Sequence, residues 1–210
     1  MKLNIAGVVG VGKSSLCNIL EKEGYSVFRE PVFDNPLLDK FYYDKRRYAF
    51  PLQIFFLNKR FEMCKQANKI QESVLDRSIL EDTIFAKMLR DRDEMDPYEY
   101  QIYKELLNNM MDHIRPPELM VYLKASPEEA IRRIKKRGRD YEVKNNIDYW
   151  HDLNQNYNNF FHEYKWSPLL TINVDTLDFV NKELDAKHIL GLIQTKLILN
   201  GTTNEYIKKT

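Results

Sequence analysis

The feature that most constrains the fold is a glycine-rich run near the start of the chain. Residues 7–14 read Gly-Val-Val-Gly-Val-Gly-Lys-Ser, which matches G-x-x-x-x-G-K-[ST] at every fixed position. A short apolar segment precedes the run and a helical pattern follows it. A strand, a glycine turn and a helix in this order are typical of the first unit of a parallel α/β sheet. The pattern therefore predicts such a sheet with a phosphate-binding loop.

The predicted phosphate loop comprises Gly7, Val8, Val9, Gly10, Val11, Gly12, Lys13, Ser14 and Ser15. Its glycines allow backbone N–H groups to turn inward around phosphates, and the following helix adds its positive dipole end. We expect Lys13 to reach the β- and γ-phosphates of ATP and the Ser14 hydroxyl to ligate Mg²⁺. The loop alone does not separate a GTPase, a motor ATPase and a small-molecule kinase. The absence of Asp-x-x-Gly from the sequence argues against a GTPase switch.

The remaining chain alternates short strand patterns with helical ones. We predict strands at 2–6, 25–29, 73–75, 119–124 and 169–174, and helices at 13–22, 46–68, 79–90, 97–113, 127–136, 149–164 and 181–199. This alternation predicts an α/β fold with a parallel sheet flanked by helices. The length of 210 residues favours one domain, residues 1–199, followed by a polar tail at 200–210.

The net charge and the cysteine content limit which kinds of partner and compartment we expect for the protein. The net charge is +1, so no global basic field indicates a nucleic-acid or membrane partner. Cys17 and Cys64 are the only cysteines, too few for a disulfide scaffold, and they favour a reducing cytoplasmic compartment.

Two predicted strand ends carry candidate chemistry. Glu30 follows the second strand, and in an open α/β sheet that end faces the ligand crevice. A carboxylate there can accept the proton of an attacking hydroxyl, although a surface glutamate before a proline is the alternative. Asp76 and Arg77 follow the third strand. We expect Asp76 to hold Mg²⁺ and Arg77 to bridge the acceptor hydroxyl and the transferred phosphate, the alternative being a strand-end salt bridge.

One segment is densely basic, with Arg132, Arg133, Lys135, Lys136, Arg137 and Arg139. The first four are equally compatible with a solvated helix face. Arg137 and Arg139 flank Gly138, which breaks the helix and gives both arginines a hinge. This arrangement predicts a lid at residues 132–145 that closes over the triphosphate and stabilises developing charge.

Several motifs occur in the order found in one enzyme family. They are the phosphate loop, Glu30-Pro31-Val32, Tyr48-Ala49-Phe50-Pro51-Leu52-Gln53, Asp76-Arg77-Ser78 and Arg137-Gly138-Arg139. Together they resemble the deoxyribonucleoside kinases, in the branch that contains the deoxyguanosine, deoxyadenosine and deoxycytidine kinases. The resemblance implies a P-loop kinase fold with a five-stranded parallel sheet, pairing into a homodimer, and ATP with Mg²⁺ as phosphate donor. The acceptor would be the 5′-hydroxyl of a deoxynucleoside in nucleoside salvage.

The same resemblance implies residue roles. Glu30 would be the general base, and Arg77 would position the 5′-hydroxyl. Tyr42 and Glu142 match positions that grip the sugar 3′-hydroxyl, and Gln53 matches a glutamine that reads the base edge. Further matches are the base-contacting pair Arg60 and Asp82, and Phe85, which falls one residue nearer to Asp82 than the base-stacking phenylalanine of relatives. Asn35 stands where many relatives have a tryptophan.

The choice of base can also be approached from the residues. Gln53 and Arg60 are seven apart on a predicted helix and so fall within about 20° of each other on one face. A buried arginine needs a partner, and Asp82 is the natural one. Arg60 can only donate and Asp82 can only accept, so together they suit a base with both an acceptor and an exocyclic amine. With Asn35 leaving room, we expect deoxyadenosine or deoxyguanosine first and deoxycytidine next. A salt bridge that merely ties two helices is the alternative.

Two other functions remain open at this point. A thymidylate kinase-like nucleoside monophosphate kinase would share the phosphate loop and the Arg29-Glu30-Pro31 turn. A catalytically silent nucleotide-binding module would share the loop but would not need Glu30, Asp76 and Arg77.

Overall fold

The protein is built on a sheet of five parallel strands. The computed structural model describes residues 1–29, 35–139, 142 and 146–207. The strands are β1 (Leu3–Ala6), β2 (Ser26–Phe28), β3 (Ser73–Asp76), β4 (Leu119–Lys124) and β5 (Leu169–Asn173). Their order is β2-β3-β1-β4-β5, and every neighbouring pair is parallel. The predicted five-stranded parallel sheet is therefore confirmed.

Helices flank this sheet. They are α1 (Lys13–Lys22), α2 (Leu38–Tyr43), α3 (Lys45–Ala67), α4 (Asp82–Asp91), α5 (Pro97–Met111), α6 (Pro127–Arg137), α7 (Ile147–Glu163) and α8 (Glu183–Ile207). The bounds of α1 agree with the sequence prediction, whereas α2 was not predicted and α8 continues beyond the expected end at residue 199.

The predicted helix over residues 79–90 is divided in two. Ile79–Glu81 forms a 3₁₀ turn and α4 begins at Asp82. The Ser78 side chain accepts a hydrogen bond from Leu80 N, and the Glu81 side chain accepts one from Ser78 N. This capping box closes one tight turn directly after β3.

The strand register places the chemically important strand ends together. Ile5 of β1 pairs with Asp76 of β3 on one side and with Val121 of β4 on the other. All four residues of β1 are buried, as expected for the central strand of a parallel sheet. The chain continues to one side of β1 through β2 and β3, and to the other through β4 and β5. In open α/β sheets, ligands bind at the carboxyl ends of the strands, beside the point where the chain changes from one side of the first strand to the other.

Within the residues that the structure describes, no helix is long and apolar enough to cross a membrane.

Candidate active site

The turn between β1 and α1 has a backbone that only glycine adopts readily. Gly7, Gly10 and Gly12 have φ of 143°, 86° and 105°, in the range that side chains disfavour. A Cβ atom on Gly7 would lie 2.5 Å from the Leu123 carbonyl oxygen. Lys13 Nζ donates to the carbonyl oxygens of Gly7 and Val8, at 2.7 and 3.1 Å. The Lys13 ammonium therefore lies within the turn of the phosphate loop.

The end of β3 meets the start of α1 beside this loop. Ser14 Oγ donates to Asp76 Oδ2 at 2.8 Å. A hydroxyl and a carboxylate are oxygen donors of the type that Mg²⁺ prefers, and Mg²⁺ commonly takes one or two carboxylates together with substrate phosphates and water. The side chains at this position therefore fit a magnesium ion.

One large cavity of about 860 Å³ is lined both by the phosphate loop and by the predicted acceptor residues. The predicted site residues that line it are Val9, Gly10, Gly12, Lys13, Ser14, Ser15, Tyr42, Gln53, Arg60, Asp76, Arg77, Asp82, Phe85, Arg137, Arg139 and Glu142. Gly7, Val8 and Val11 belong to the loop but do not line the cavity. Glu30 lies outside the described residues. The fold thus brings residues from six separate segments to one cavity.

Arg77 has an uncommon backbone conformation at this edge of the sheet. Its φ of 84° is unfavourable for a residue with a side chain, and its N–H donates to the Ile5 carbonyl oxygen at 2.9 Å. The guanidinium lies over the Phe85 ring, 4.3 Å from the centroid. The turn therefore directs the Arg77 side chain across the cavity wall towards α4, where Phe85 can offer a flat apolar surface.

The wall of the cavity also contains a buried ion pair. Arg60 on α3 donates to Asp82 at the start of α4, and both residues are only 2% exposed. The Arg60 guanidinium also lies 4.7 Å from the centroid of the Phe56 ring. Gln53 is buried on the same helix. An ion pair and an amide on one wall of an otherwise apolar pocket can recognise a ligand that has both donors and acceptors.

The predicted lid arginines converge on one carboxylate. Arg137 donates to Glu142 Oε2 at 3.1 Å from Nε and 2.5 Å from Nη2, and Arg139 lies 3.5 Å from Oε1. Gly138 ends α6 in the left-handed conformation with φ of 71°. The helix break thus allows two cations to reach Glu142, which is itself buried.

Sequence reasoning missed one part of the cavity. The loop from Asp175 to Asn181 lines it, next to the phosphate loop, and a Cβ atom on Gly12 would lie 2.7 Å from Phe179 Cζ. Arg133 donates to the carbonyl oxygens of Val11 and Val174 at 2.9 and 2.7 Å. Arg133 is therefore not part of a solvated helix face, whereas Arg132, Lys135 and Lys136 are exposed. No local pattern in the sequence marks these long-range contacts.

Burial and ion pairing perturb two further groups on the cavity wall. Hydrogen bonds from Arg132, supported by Arg133, lower the pKa of the Glu129 carboxyl to about 2. Burial, with a smaller contribution from nearby Tyr42, raises the pKa of Tyr149. The Tyr149 phenol is therefore neutral and able to donate a hydrogen bond at physiological pH.

Known proteins share both the sequence and the fold. A deoxyguanosine kinase of Lactobacillus johnsonii is 41% identical over 203 residues, which cover 92% of this chain and 91% of the relative. A deoxyadenosine kinase of Lactobacillus acidophilus is 40% identical, with 92% and 94% of the two chains covered. The structure of deoxyadenosine kinase from M. mycoides with bound dATP matches with a TM-score of 0.82 and 34% identity, over 92% of this chain and 99% of that one.

The family match covers nearly the whole chain. The sequence profile of the deoxynucleoside kinases matches residues 3–199. This match supports nucleoside kinase activity and does not support the thymidylate kinase alternative. Together with a phosphate loop and a polar acceptor wall around one cavity, it shows that the chain belongs to the deoxynucleoside kinase family.

Proposed function

We propose that this kinase transfers the γ-phosphate of ATP to the 5′-hydroxyl of a purine deoxynucleoside in salvage. The observation that carries the proposal is one cavity that is lined both by Lys13 and Ser14 of the phosphate loop and by the buried Arg60–Asp82 pair. Arg77 lines the same cavity. A donor triphosphate on the phosphate loop and an acceptor nucleoside on the Arg60–Asp82 pair would then meet beside Arg77.

At the donor end, the phosphate loop would hold the triphosphate through its backbone N–H groups and through Lys13. Ser14 and Asp76, which are hydrogen-bonded to each other, would hold Mg²⁺. A bound Mg²⁺ ion neutralises charge on the phosphate oxygens. The Lys13 ammonium would supply a fixed positive charge where negative charge develops during transfer.

At the acceptor end, we assign Glu30 as the general base that takes the proton of the 5′-hydroxyl, following the family motif. Arg77 would orient that hydroxyl and stabilise the transferred phosphate. Tyr42 and Glu142, which both line the cavity, would bind the sugar 3′-hydroxyl. The carboxylate of Glu142 also pairs with the lid arginines, so it would link sugar binding to the position of the lid.

The base would lie against Phe85, with Gln53, Arg60 and Asp82 reading its edge. Purines fit this arrangement because Asp82 can accept from an exocyclic amine while Arg60 donates to a ring acceptor. The Asn35 side chain accepts a hydrogen bond from Leu37 N at 2.9 Å and does not line the cavity, which leaves room for a large base. The named activities of the relatives support deoxyguanosine or deoxyadenosine, with deoxycytidine next.

The lid would act on the donor side. Arg137 is the last residue of α6 and Arg139 follows the helix. Arg133 of the same helix donates to the Val11 carbonyl oxygen of the phosphate loop. On nucleotide binding, we expect the two arginines to exchange part of their contact with Glu142 for the triphosphate. This exchange would place positive charge on the transferring phosphate and exclude water.

We further propose that residues 1–199 act as one domain with the lid at 132–145, and that the enzyme works as a cytoplasmic homodimer. Tyr98 and Ile102 lie one turn apart on α5 and are 82% and 54% exposed, so this helix offers an apolar surface for a second copy. Cys17 and Cys64 are free and buried, in keeping with a reducing compartment. Size-exclusion chromatography coupled to light scattering would measure the molar mass of the protein in solution and so the number of copies in the assembly.

The experiment that tests the function is an ADP-release assay with the four deoxynucleosides and their monophosphates as acceptors. We expect turnover with purine deoxynucleosides and none with monophosphates. Lys13→Ala is the matched control, and it should abolish turnover in a protein that still unfolds cooperatively when heated without ligand. Turnover confined to monophosphates, or ADP release that is independent of any acceptor, would contradict the proposal.

A further inference from the structure

Glu81 is a fully buried carboxylate in a place where neither the sequence motifs nor the reaction requires an acid. It ends the 3₁₀ turn Ile79–Glu81 and is 0% exposed. An ionised carboxylate removed from water is costly unless its oxygens are hydrogen-bonded and its charge is compensated. The contacts of Glu81 therefore show how its buried carboxylate is stabilised.

The two oxygens of Glu81 bind backbone groups from two parts of the active site. Oε2 accepts from Ser78 N at 2.7 Å, and Oε1 accepts from Gly7 N at 3.1 Å. Gly7 is the first residue of the phosphate loop, and Ser78 directly follows Arg77. One carboxylate thus ties the start of the donor loop to the turn that carries Arg77.

The Gly7 peptide has little freedom apart from this bond. Its φ is 143° and an added Cβ atom would lie 2.5 Å from the Leu123 carbonyl oxygen, so β4 closes one side of it. Glu81 fixes the direction of its N–H group. The carbonyl of the same residue accepts from Lys13 Nζ at 2.7 Å. A shift of Glu81 would therefore move both the loop and the lysine ammonium.

The charges around Glu81 belong to the same site. Burial raises the pKa of Glu81, whereas the nearby cations Arg77 and Lys13 and the hydrogen bonds from Ser78 N and Gly7 N oppose that rise. Arg77 and Lys13 are themselves buried. The two buried cations together compensate the negative charge of Glu81, and the Glu81 carboxylate compensates part of the positive charge of each.

A second capping box in the chain shows that a helical start does not need such a contact. Asp96 and Glu99 form a box at the start of α5, where Asp96 N donates to Glu99 Oε2 at 3.2 Å and the contact is exposed. Glu99 makes no contact with the phosphate loop. Glu81 and Glu99 therefore have the same local role, and only Glu81 has the additional bond to Gly7.

We propose that Glu81 is a positioning residue for phosphoryl transfer, which holds the phosphate loop and Arg77 at a fixed separation. This inference rests on the proposed function, since it concerns the alignment of the donor phosphate with the acceptor hydroxyl. Glu81 acts through Gly7 and Ser78 and does not itself touch either substrate. Its loss should therefore affect the use of ATP and the transfer step, and leave nucleoside binding in place.

The test compares Glu81→Gln with the matched control Glu99→Gln. The glutamine amide has one oxygen that accepts and one NH₂ group that only donates, so either Gly7 N–H or Ser78 N–H loses its acceptor. We expect E81Q to lower kcat/KM for ATP by about 10- to 100-fold, because a misplacement of about 1 Å can cost about 100-fold. KM for the deoxynucleoside should stay within about twofold, and E99Q should change neither value.

Glu81→Asp keeps the test decisive if E81Q does not fold. The shorter carboxylate retains the charge but cannot span both N–H groups, so E81D should also impair ATP use selectively. Wild-type kinetics in a folded E81Q or E81D would overturn the inference. An equal rise in KM for ATP and for the deoxynucleoside would also overturn it. An inactive wild-type enzyme would instead contradict the proposed function, so the two failures are distinguishable.

Discussion

The Arg60–Asp82 pair allows the sharpest test of base recognition. Both residues are 2% exposed, and Asp82→Asn keeps the size of the side chain while removing its charge. Removing one partner of a buried ion pair costs about 3–5 kcal/mol. We place the loss at the lower end, about 3 kcal/mol, because the asparagine oxygen can still accept from Arg60 and the Phe56 ring contact remains. For a chain of this length that free energy corresponds to a melting temperature lower by roughly 6–12 °C.

The kinetic effect should be selective for the base. A hydrogen bond to a charged group contributes about 1.5–3 kcal/mol, so kcat/KM for the preferred purine deoxynucleoside should fall about 10- to 150-fold. Thymidine has no exocyclic amine for Asp82 to accept from, and its kcat/KM should change little. The assay is steady-state kinetics with all four deoxynucleosides, well below the melting temperature of the variant.

Asp152→Asn is the matched control for this change. Asp152 accepts from Arg92 at 2.8 Å and also joins two helical segments, but it does not line the cavity. The Asp152→Asn substitution should leave the order of preference among the four deoxynucleosides unaltered. If D82N lowered kcat/KM for all four nucleosides by the same factor, the pair would only tie α3 to α4 and would not read the base.

Three other predictions concern transfer, the lid and pH. Glu30→Gln should lower kcat by about 10²–10⁴-fold with little change in the dissociation constant of the nucleoside; wild-type turnover would remove Glu30 as the base. Arg137→Ala and Arg139→Ala should each lower kcat more than nucleoside affinity, because their charge acts mainly in the transition state; an equal loss of both would place them on the acceptor. The pKa of Glu129 is lowered from 4.5 to about 2 by Arg132 and Arg133, so its ionised form stabilises the fold above pH about 4.5 and this contribution is lost as the pH falls towards 2. The difference in melting temperature between wild type and Glu129→Gln should therefore be constant near neutral pH and narrow on acidification, and a difference that widened in acid would contradict the pairing.

The phosphate loop and the sheet could be predicted because their signals are local. The glycines, Lys13 and Ser14 occupy fixed positions between a strand and a helix, and alternating strand and helix patterns imply a parallel sheet. The bounds of α1 and β4 agree with the predictions. The pairing of Arg60 with Asp82 was also predictable, since a buried arginine requires a partner.

The missed features depend on contacts between distant parts of the chain. Arg133 resembles its exposed neighbours in sequence, but it binds the carbonyl oxygen of Val11, which is 122 residues away. Glu81 resembles an ordinary capping residue, and its bond to Gly7 spans 74 residues. Helix α2 has only six residues, which is too short for a clear apolar period. In each case the structure depends on tertiary packing, and no local pattern in the sequence predicts it.

Identification of the phosphorylated product tests directly whether the protein is a deoxynucleoside 5′-kinase. The wild-type enzyme is incubated with ATP, Mg²⁺ and deoxyguanosine or deoxyadenosine, and the products are analysed by phosphorus NMR and mass spectrometry. We expect one equivalent of the deoxynucleoside 5′-monophosphate for each ADP released, and no product with Lys13→Ala. Release of inorganic phosphate with the nucleoside unchanged, or phosphate attached at the 3′-hydroxyl, would contradict phosphoryl transfer to the 5′-hydroxyl.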